Sequence, residues 1–220
     1  MNKSFVEGLK PNPLLRDAEA MRRVVGWSMK PEEVFLYFKT LRKKVVTFFG
    51  YSSPYEDMDT MLGIVKESLT AYSPETHLVN IGATVGGIGA AYAIAKAAGF
   101  VTTGIVSSLA IQYADEISKD VDHICFLTDQ AWGGKMPNGD SLTPTSQAMV
   151  ACSDIFIGIG GGEITRDELL AGRALGKPVE FHPAEVNHQW AIKRAQKNSQ
   201  PSPTSFWGAA HAGLMTDANG

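Results

Sequence analysis

Cysteine is nearly absent from this chain: Cys125 and Cys152 are the only two in 220 residues, each inside or beside an apolar segment. No Cys-x-x-Cys occurs, so a disulfide scaffold and a thiol-based redox or zinc motif are excluded, and buried reduced thiols suit a reducing cytoplasm. Histidine is equally unhelpful for metal. His123-x-Cys125 would share one strand face but has no third ligand, so neither a metal nor another cofactor is expected. No apolar run approaches the length of a membrane span, and residues 1–20 contain no signal-type segment; the expectation is a cytoplasmic protein without a membrane partner. A net charge of -3 gives no basis for a nucleic-acid partner. The one compact basic run, Arg42-Lys43-Lys44, reads as the solvated end of an element.

The chain has glycine, placed at three apparent strand ends. The most informative stretch is Ser153 to Glu168. Asp154 to Ile159 is a short apolar run with the composition of a strand buried on both faces. Gly160, Gly161 and Gly162 follow, allowing a sharp turn and close approach to a ligand. From Ile164 the spacing is helical, with Leu169, Leu170, Ala174 and Leu175 apolar and Gly176 and Pro178 closing the element. A strand, a glycine turn and a helix start, in that order, make an anion site from free backbone N–H groups and the helix dipole. Thr165 and Glu168 share a face beside it. Thr-x-x-Glu is equally the pattern of a capping box, which would only satisfy helix N–H groups.

Two further turns have related composition. Gly50-Tyr51-Ser52-Ser53-Pro54 ends a strand read over Val45 to Phe49, and Gly82 to Gly89 joins a strand at His77–Ile81 to a helix running through Lys96. The second is neither a P-loop nor a clean Gly-x-Gly-x-x-Gly, and Gly86 and Gly89 also permit close helix-on-strand packing. Strands are expected at Val101 to Val106, His123 to Leu127 and Val179 to Phe181. Helices are expected over Tyr55–Ala71, Leu109–Ile117, Pro144–Cys152 and Val186–Gln196. Asp129 to Thr145 is a long irregular stretch, in which Trp132 has the chemistry to stack on a base and Lys135 to reach a phosphate; a mobile surface loop accounts for it equally well.

This alternation predicts an α/β fold: a Rossmann-like, doubly wound, mostly parallel sheet with helices on both faces. Residues 41–197 form that domain. Residues 1–40 read as a helical extension, with helical spacing over Ala18–Trp27 and Glu32–Leu41, and 198–220 as a flexible tail in which Phe206 and Trp207 hint at a docking contact.

Taken together, the three turns resemble the Lonely Guy proteins, often labelled "lysine decarboxylase-like", within the SLOG group of Rossmann-like nucleotide-binding proteins. The resemblance covers roughly Val45 to Ala195. The family's Gly-Ser-Ser turn is similar to Gly50-Tyr51-Ser52-Ser53, with one residue inserted, and Gly82, Thr84, Gly86 and Gly89 fall in place in its second junction. Its hallmark Pro-Gly-Gly-x-Gly-Thr-x-x-Glu lies on Gly160 to Glu168, preceded by a Ser-Asp-x-Phe-Ile run matched by Ser153 to Ile157. Enzymes of the family cleave the N-glycosidic bond of nucleoside 5′-monophosphates, without pyridoxal phosphate. The resemblance therefore implies a nucleotide-like ligand held by Gly50, Ser52, Ser53, Gly82, Thr84, Gly86, Gly160, Gly161, Gly162 and Thr165, with Glu168 stabilising charge on the sugar, and it implies a homodimer.

Two departures bear on activity. Where those enzymes have an Arg-Lys pair before a methionine, this chain has Thr145 and Ser146 before Met149, and Ile164 and Gly160 replace a hallmark glycine and proline. Arg166 and Lys135 are the cations available to stand in for the missing arginine. The readings left open are a nucleotide-binding protein without rapid turnover and a phosphoribohydrolase with a rearranged cationic group. A dinucleotide-dependent dehydrogenase stands third, since Asn80 occupies the position where its acidic residue belongs.

Overall fold

The structure is a computed structural model that describes residues 21–139 and 141–215. Seven strands run parallel in the order β1-β5-β4-β3-β2-β6-β7: β1 Val24–Met29, β2 Lys44–Gly50, β3 His77–Ile81, β4 Val101–Ser107, β5 His123–Leu127, β6 Ile155–Ile159 and β7 Val179–His182. From β2 the chain winds outward one way through β3, β4 and β5; from β6 it winds the other way to β7. The order reverses between β2 and β6, which makes that crevice the topological switch point.

Alternation along the strands decides the layering. In β2, Val46 and Phe48 join one core cluster with Met61 and Val65 of α2 (Met58–Leu69) and Tyr92 and Ala95 of α3 (Ala91–Ala97). Val45 and Phe49 point to the other face. There they meet Val34 and Phe38 of α1 (Pro31–Thr40), Ala148 and Met149 of α4 (Pro144–Cys152) and Leu169 of α5 (Glu163–Ala174). Both faces are covered, as an all-parallel sheet requires. Under α4 the second face contains a row of buried polar side chains. Thr103 Oγ1 donates to Asn80 Oδ1 at 3.0 Å, Asn80 Nδ2 faces Thr47 Oγ1 at 3.3 Å, and the Thr47 and Ser153 hydroxyls lie 2.6 Å apart. Asn80 is thereby committed to the core and unavailable to a ribose.

The Rossmann-like expectation holds, with three corrections at its margins. Helical spacing over Ala18–Trp27 is overturned at Val24–Met29, which is the edge strand β1 paired with β5 from Val24↔Ile124 to Met29↔Leu127. The β-branched pair Val24-Val25 suits an extended edge, and Trp27 stacks on Phe126 at 5.2 Å, a contact a helix would not make. The stretch expected as a helix over Leu109–Ile117 is instead a kinked 3₁₀ segment, Ser108–Glu116, broken at Tyr113. Residues 198–215, expected as part of a flexible tail, fold back: α6 (His188–Lys197) is followed by α7 (Ala209–Met215), whose Ala210 and Leu214 are buried. Residues 1–20 and 216–220, the rest of the two expected terminal segments, lie outside the described residues.

Cys125 and Cys152 are both buried and unbridged, and burial pushes each thiol up to about 12. No helix among the described residues is long and apolar enough to cross a membrane, and no group of three or more His, Cys, Asp or Glu side chains there is arranged to hold a metal.

Candidate functional site

All three glycine-rich turns leave the carboxyl edge of the sheet, because all seven strands are parallel and each turn follows a strand's last residue. Two of them flank the switch point directly. β2 pairs with β6 through Gly50↔Ile159, so Gly50 to Ser53 and Gly160 to Gly162 rise side by side, and the β3 turn stands on the far side of β2.

A buried tyrosine stitches each side. Tyr55 Oη accepts from the Tyr51 N–H at 3.1 Å and donates to the Ile159 carbonyl at 2.7 Å, tying β2 to β6. Tyr92 Oη accepts from Ala83 N–H at 3.1 Å and donates to the Thr103 carbonyl at 2.8 Å, tying β3 to β4. Burial raises both phenols, so they remain hydrogen-bonding pins. Neither was singled out from the sequence, since an isolated tyrosine there looks like ordinary core. Next to the second pin, Ala83 is held at φ 59, a left-handed conformation that suits glycine better.

The glycines divide into two groups. A Cβ on Gly86 would come within 2.9 Å of the Ser52 carbonyl oxygen, one on Gly87 (φ +55) would collide with the Tyr51 carbonyl, and one on Gly89 with the Thr84 carbonyl. These allow the β3 turn to nest against the β2 turn, where Ile88 N–H donates to Tyr51 O at 2.8 Å. Gly82 and Gly162 meet nothing within 4 Å. Of the residues expected to bind, Ser52 is exposed, Gly82, Thr84 and Gly86 are half-buried, and Thr84 Oγ1 accepts from Gly86 N–H at 3.3 Å.

At the third turn the polypeptide makes two consecutive positive-φ steps, Gly160 (φ 55) and Gly161 (φ 119), and Gly162 becomes the N-cap of α5. A glycine cap supplies no side-chain acceptor. By contrast Asp57 caps α2 by accepting from Thr60 N–H at 2.8 Å, Asn187 caps α6 by accepting from Trp190 N–H at 2.9 Å, and Asp129 accepts from Thr145 N–H of α4 at 2.9 Å. The first turn of α5 therefore presents uncapped amides beside the open side of Gly162, the arrangement that receives an anion. Glu163, exposed in the same turn, is an acidic charge that opposes it.

The capping box does not form. Thr165 lies three residues inside the helix, and its hydroxyl donates to the Gly50 carbonyl at 3.2 Å, tying α5 to β2. Glu168 is 5% exposed and accepts from Ser146 Oγ at 2.6 Å; Ser146 Oγ in turn accepts from Gly134 N–H at 2.7 Å. Burial pushes the Glu168 carboxyl up to about 8, the Asp167 charge adds to the rise, and the Ser146 hydrogen bond only partly offsets them. At neutral pH this group is mostly a neutral carboxylic acid.

The two candidate cations are placed elsewhere. Arg166 turns its guanidinium to Asp167 Oδ1, with Nε at 3.0 Å and Nη2 at 2.9 Å, and its stem lies against Gly213 of α7. Lys135 is exposed on the loop after β5, in a bridge with Leu142. That loop lies across Glu168: a Cβ on Gly133 would stand 3.0 Å from Ser146 Oγ and 3.8 Å from Glu168 Oε1.

The C-terminal segment closes the side facing α7. Gly208 N–H donates to Tyr51 Oη at 2.7 Å, Ala210 N–H donates to the Gly161 carbonyl at 3.1 Å, and no Cβ fits on Gly208 against that carbonyl. The hinted contact of Phe206 and Trp207 is real: Phe206 stacks on His188 at 3.9 Å, and Trp207 bridges Glu185.

No family model matches the chain, and no curated protein matches it. Among solved structures it is similar to the X-ray structure of TM1055, a structural-genomics target, with 20% identity over 62% of this chain and 72% of that one and a TM-score of 0.43. It is also similar to the Moco carrier protein from Chlamydomonas reinhardtii, with 19% identity over 80% of this chain and 96% of that one and a TM-score of 0.46. At these identities no ligand or activity is carried from either protein to this one; the Rossmann-like fold stands on the strand order itself.

Proposed function

We propose that this protein binds a phosphorylated nucleotide or nucleotide derivative at the carboxyl edge of the sheet, between β2 and β6, and does not turn over common nucleoside monophosphates at an enzymatic rate. The phosphate sits on the uncapped amides of Gly162 to Thr165, in the open space beside Gly162. The Gly50-Tyr51-Ser52-Ser53 turn and the Gly82–Thr84 corner flank the remainder of the ligand. The motif resemblance to the Lonely Guy proteins supports the ligand class.

One observation supports binding over hydrolysis: Glu168 is buried, faces a neutral serine, and pairs with no cation among the described residues. Breaking a ribosyl bond develops positive charge on the sugar, which an ionised carboxylate stabilises and a protonated one does not. The residue positions that supply cations in the resembled enzymes hold Thr145 and Ser146, both buried, and Arg166 is already forked onto Asp167.

Two measurements on the purified protein test this together. Calorimetry with nucleoside monophosphates is expected to show binding, while chromatography of the same mixtures shows no release of free base beyond the uncatalysed rate. Brisk base release that is lost in Glu168→Gln would replace this reading with the phosphoribohydrolase. Absence of binding to every phosphorylated ligand would remove both.

A further inference from the structure

The exposed aromatic residues are not spread evenly. Tyr113 and Trp132 come from different loops, one after β4 and one after β5, yet their rings meet at 5.8 Å between centroids with planes 46° apart. Both are about half exposed, at 47% and 50%. Large aromatic surface left in water is unfavourable, and a pair brought together from separate loops without being covered marks a place where something flat is received.

The pair is anchored to the anion site from two sides. On the Trp132 side, a Cβ on the next residue, Gly133, would stand 3.1 Å from Ile164 Cγ2, and one on Gly134 would stand 3.3 Å from Ile164 Cγ1. Ile164 belongs to the uncapped first turn of α5, so Trp132 is one residue from atoms packed on the proposed phosphate site. On the Tyr113 side, Val85 N–H donates to the Glu116 carbonyl at 2.8 Å and Ser118 N–H to the Ala83 carbonyl at 2.9 Å, with Thr84 and Ile117 bridged between them. Those bonds fix the 3₁₀ segment to the β3 turn, and the break in that segment falls at Tyr113 itself (φ -117, ψ 42). The two rings therefore stand on segments tethered to the second and the third glycine turns.

We propose that Tyr113 and Trp132 form the shelf on which the ligand's planar heteroaromatic ring stacks, while its phosphate occupies the first turn of α5. This rests on the phosphate-binding reading above and narrows it: the ligand class is a phosphate monoester that also carries a flat, conjugated ring. Ribose 5-phosphate alone, or inorganic phosphate, lacks half of what the site recognises. Stacking tolerates different bases because every base offers a π-face, so larger bicyclic rings are preferred over single ones without strict selection.

Calorimetric titration of wild type, Trp132→Ala, Trp132→Phe and Tyr113→Ala with AMP, GMP, UMP and ribose 5-phosphate tests the shelf. Circular dichroism checks that each exposed-site variant is folded. The expected result is that wild type prefers AMP and GMP over ribose 5-phosphate. Trp132→Ala should weaken AMP by about tenfold or more and leave ribose 5-phosphate within about twofold, Trp132→Phe should recover most of the loss, and Tyr113→Ala should show a smaller selective loss. Equal binding of AMP and ribose 5-phosphate to wild type, or equal weakening of both by Trp132→Ala, would overturn the shelf while leaving the phosphate site standing. No binding of any of the four to wild type would sink the phosphate reading and the shelf with it.

Discussion

The turn after β3 and the turn after β6 are both rich in glycine, but a methyl group added to each meets a different environment. At Gly86, Gly87 and Gly89 it runs into the backbone of Ser52, Tyr51 and Thr84; in the β6 turn it also collides at Gly160, with the Ala184 carbonyl, and at Gly161, with the Thr165 side chain, but at Gly162, where the helix begins, it meets nothing within 4 Å. The first turn uses glycine so that one backbone can lie on another; the second uses it to end a strand, reverse direction and start a helix without covering the helix's amides. Gly82 stands at the boundary, an open position at the head of an otherwise packed turn. Glycine content therefore identifies where a sheet edge is crowded or bare, but not which.

The sharpest way to break that comparison is Gly89→Ala. The new Cβ would overlap the Thr84 carbonyl oxygen and lie 2.7 Å from its carbon, both backbone atoms that move only if the turn unfolds. We expect a loss of about 4 kcal/mol or more, enough to leave little folded protein at 37 °C, read by thermal melting and soluble yield. A melting temperature within a few degrees of wild type would mean that the β3 turn is not packed as described.

Glu168 comes next, because it lies under the open turn and couples stability to pH. Its carboxyl stands near 8 when folded, against an ordinary value of 4.5. Between those values the unfolded chain releases this proton while the folded protein retains it, so the stability that is fully present below about 4.5, where both states hold the proton, is lost as pH rises toward 8. The contribution lost between pH 4.5 and 7 is about 3 kcal/mol at ~1.4 kcal/mol per pH unit. Glu168→Gln preserves an acceptor for Ser146 and cannot ionise. It should match wild type near pH 4.5 and be the more stable protein at pH 7, by denaturant unfolding at both. The same slope in both proteins would place the ionising group elsewhere.

Much of this arrangement was legible beforehand, and the parts that were not have physical reasons. The five expected strands from Val45 to Leu127 and on to Ile159 read clearly because each is a short run buried on both faces and closed by glycine or polar residues. Strand β1 did not, since Ala18–Trp27 also satisfies a helical period, and only the free edge of β5 and the Phe126 ring decide for a strand. At the site, the third turn was legible as a strand-to-helix junction. The pairing of Thr165 with Glu168 was not decidable: their spacing fits a capping box, but Thr165 bonds to Gly50 and Glu168 to Ser146, residues 115 and 22 positions away. Such long-range partners leave no periodic trace. Tyr51 and Tyr55, and the return of Gly208 and Ala210 onto the turn, were hidden for the same reason.

Gly162→Ala sharpens the comparison with the smallest structural change. Gly162 has φ -88, which any L-residue adopts, and its added methyl would touch no protein atom, so stability should stay within about 0.5 kcal/mol of wild type. The methyl does occupy the open side of the turn, beside the first amides of α5, where the phosphate is placed. Affinity for ribose 5-phosphate, which carries the phosphate but no ring, should therefore fall several-fold while the melting temperature holds. Gly63→Ala serves as the matched control: it too has nothing within 4 Å but lies in the interior of α2, where replacing glycine adds up to ~1 kcal/mol of helix stability and leaves the ligand untouched. If Gly162→Ala binds ribose 5-phosphate as wild type does, the anion does not sit against that turn, and the openness at Gly162 has to be explained by the strand-to-helix reversal alone.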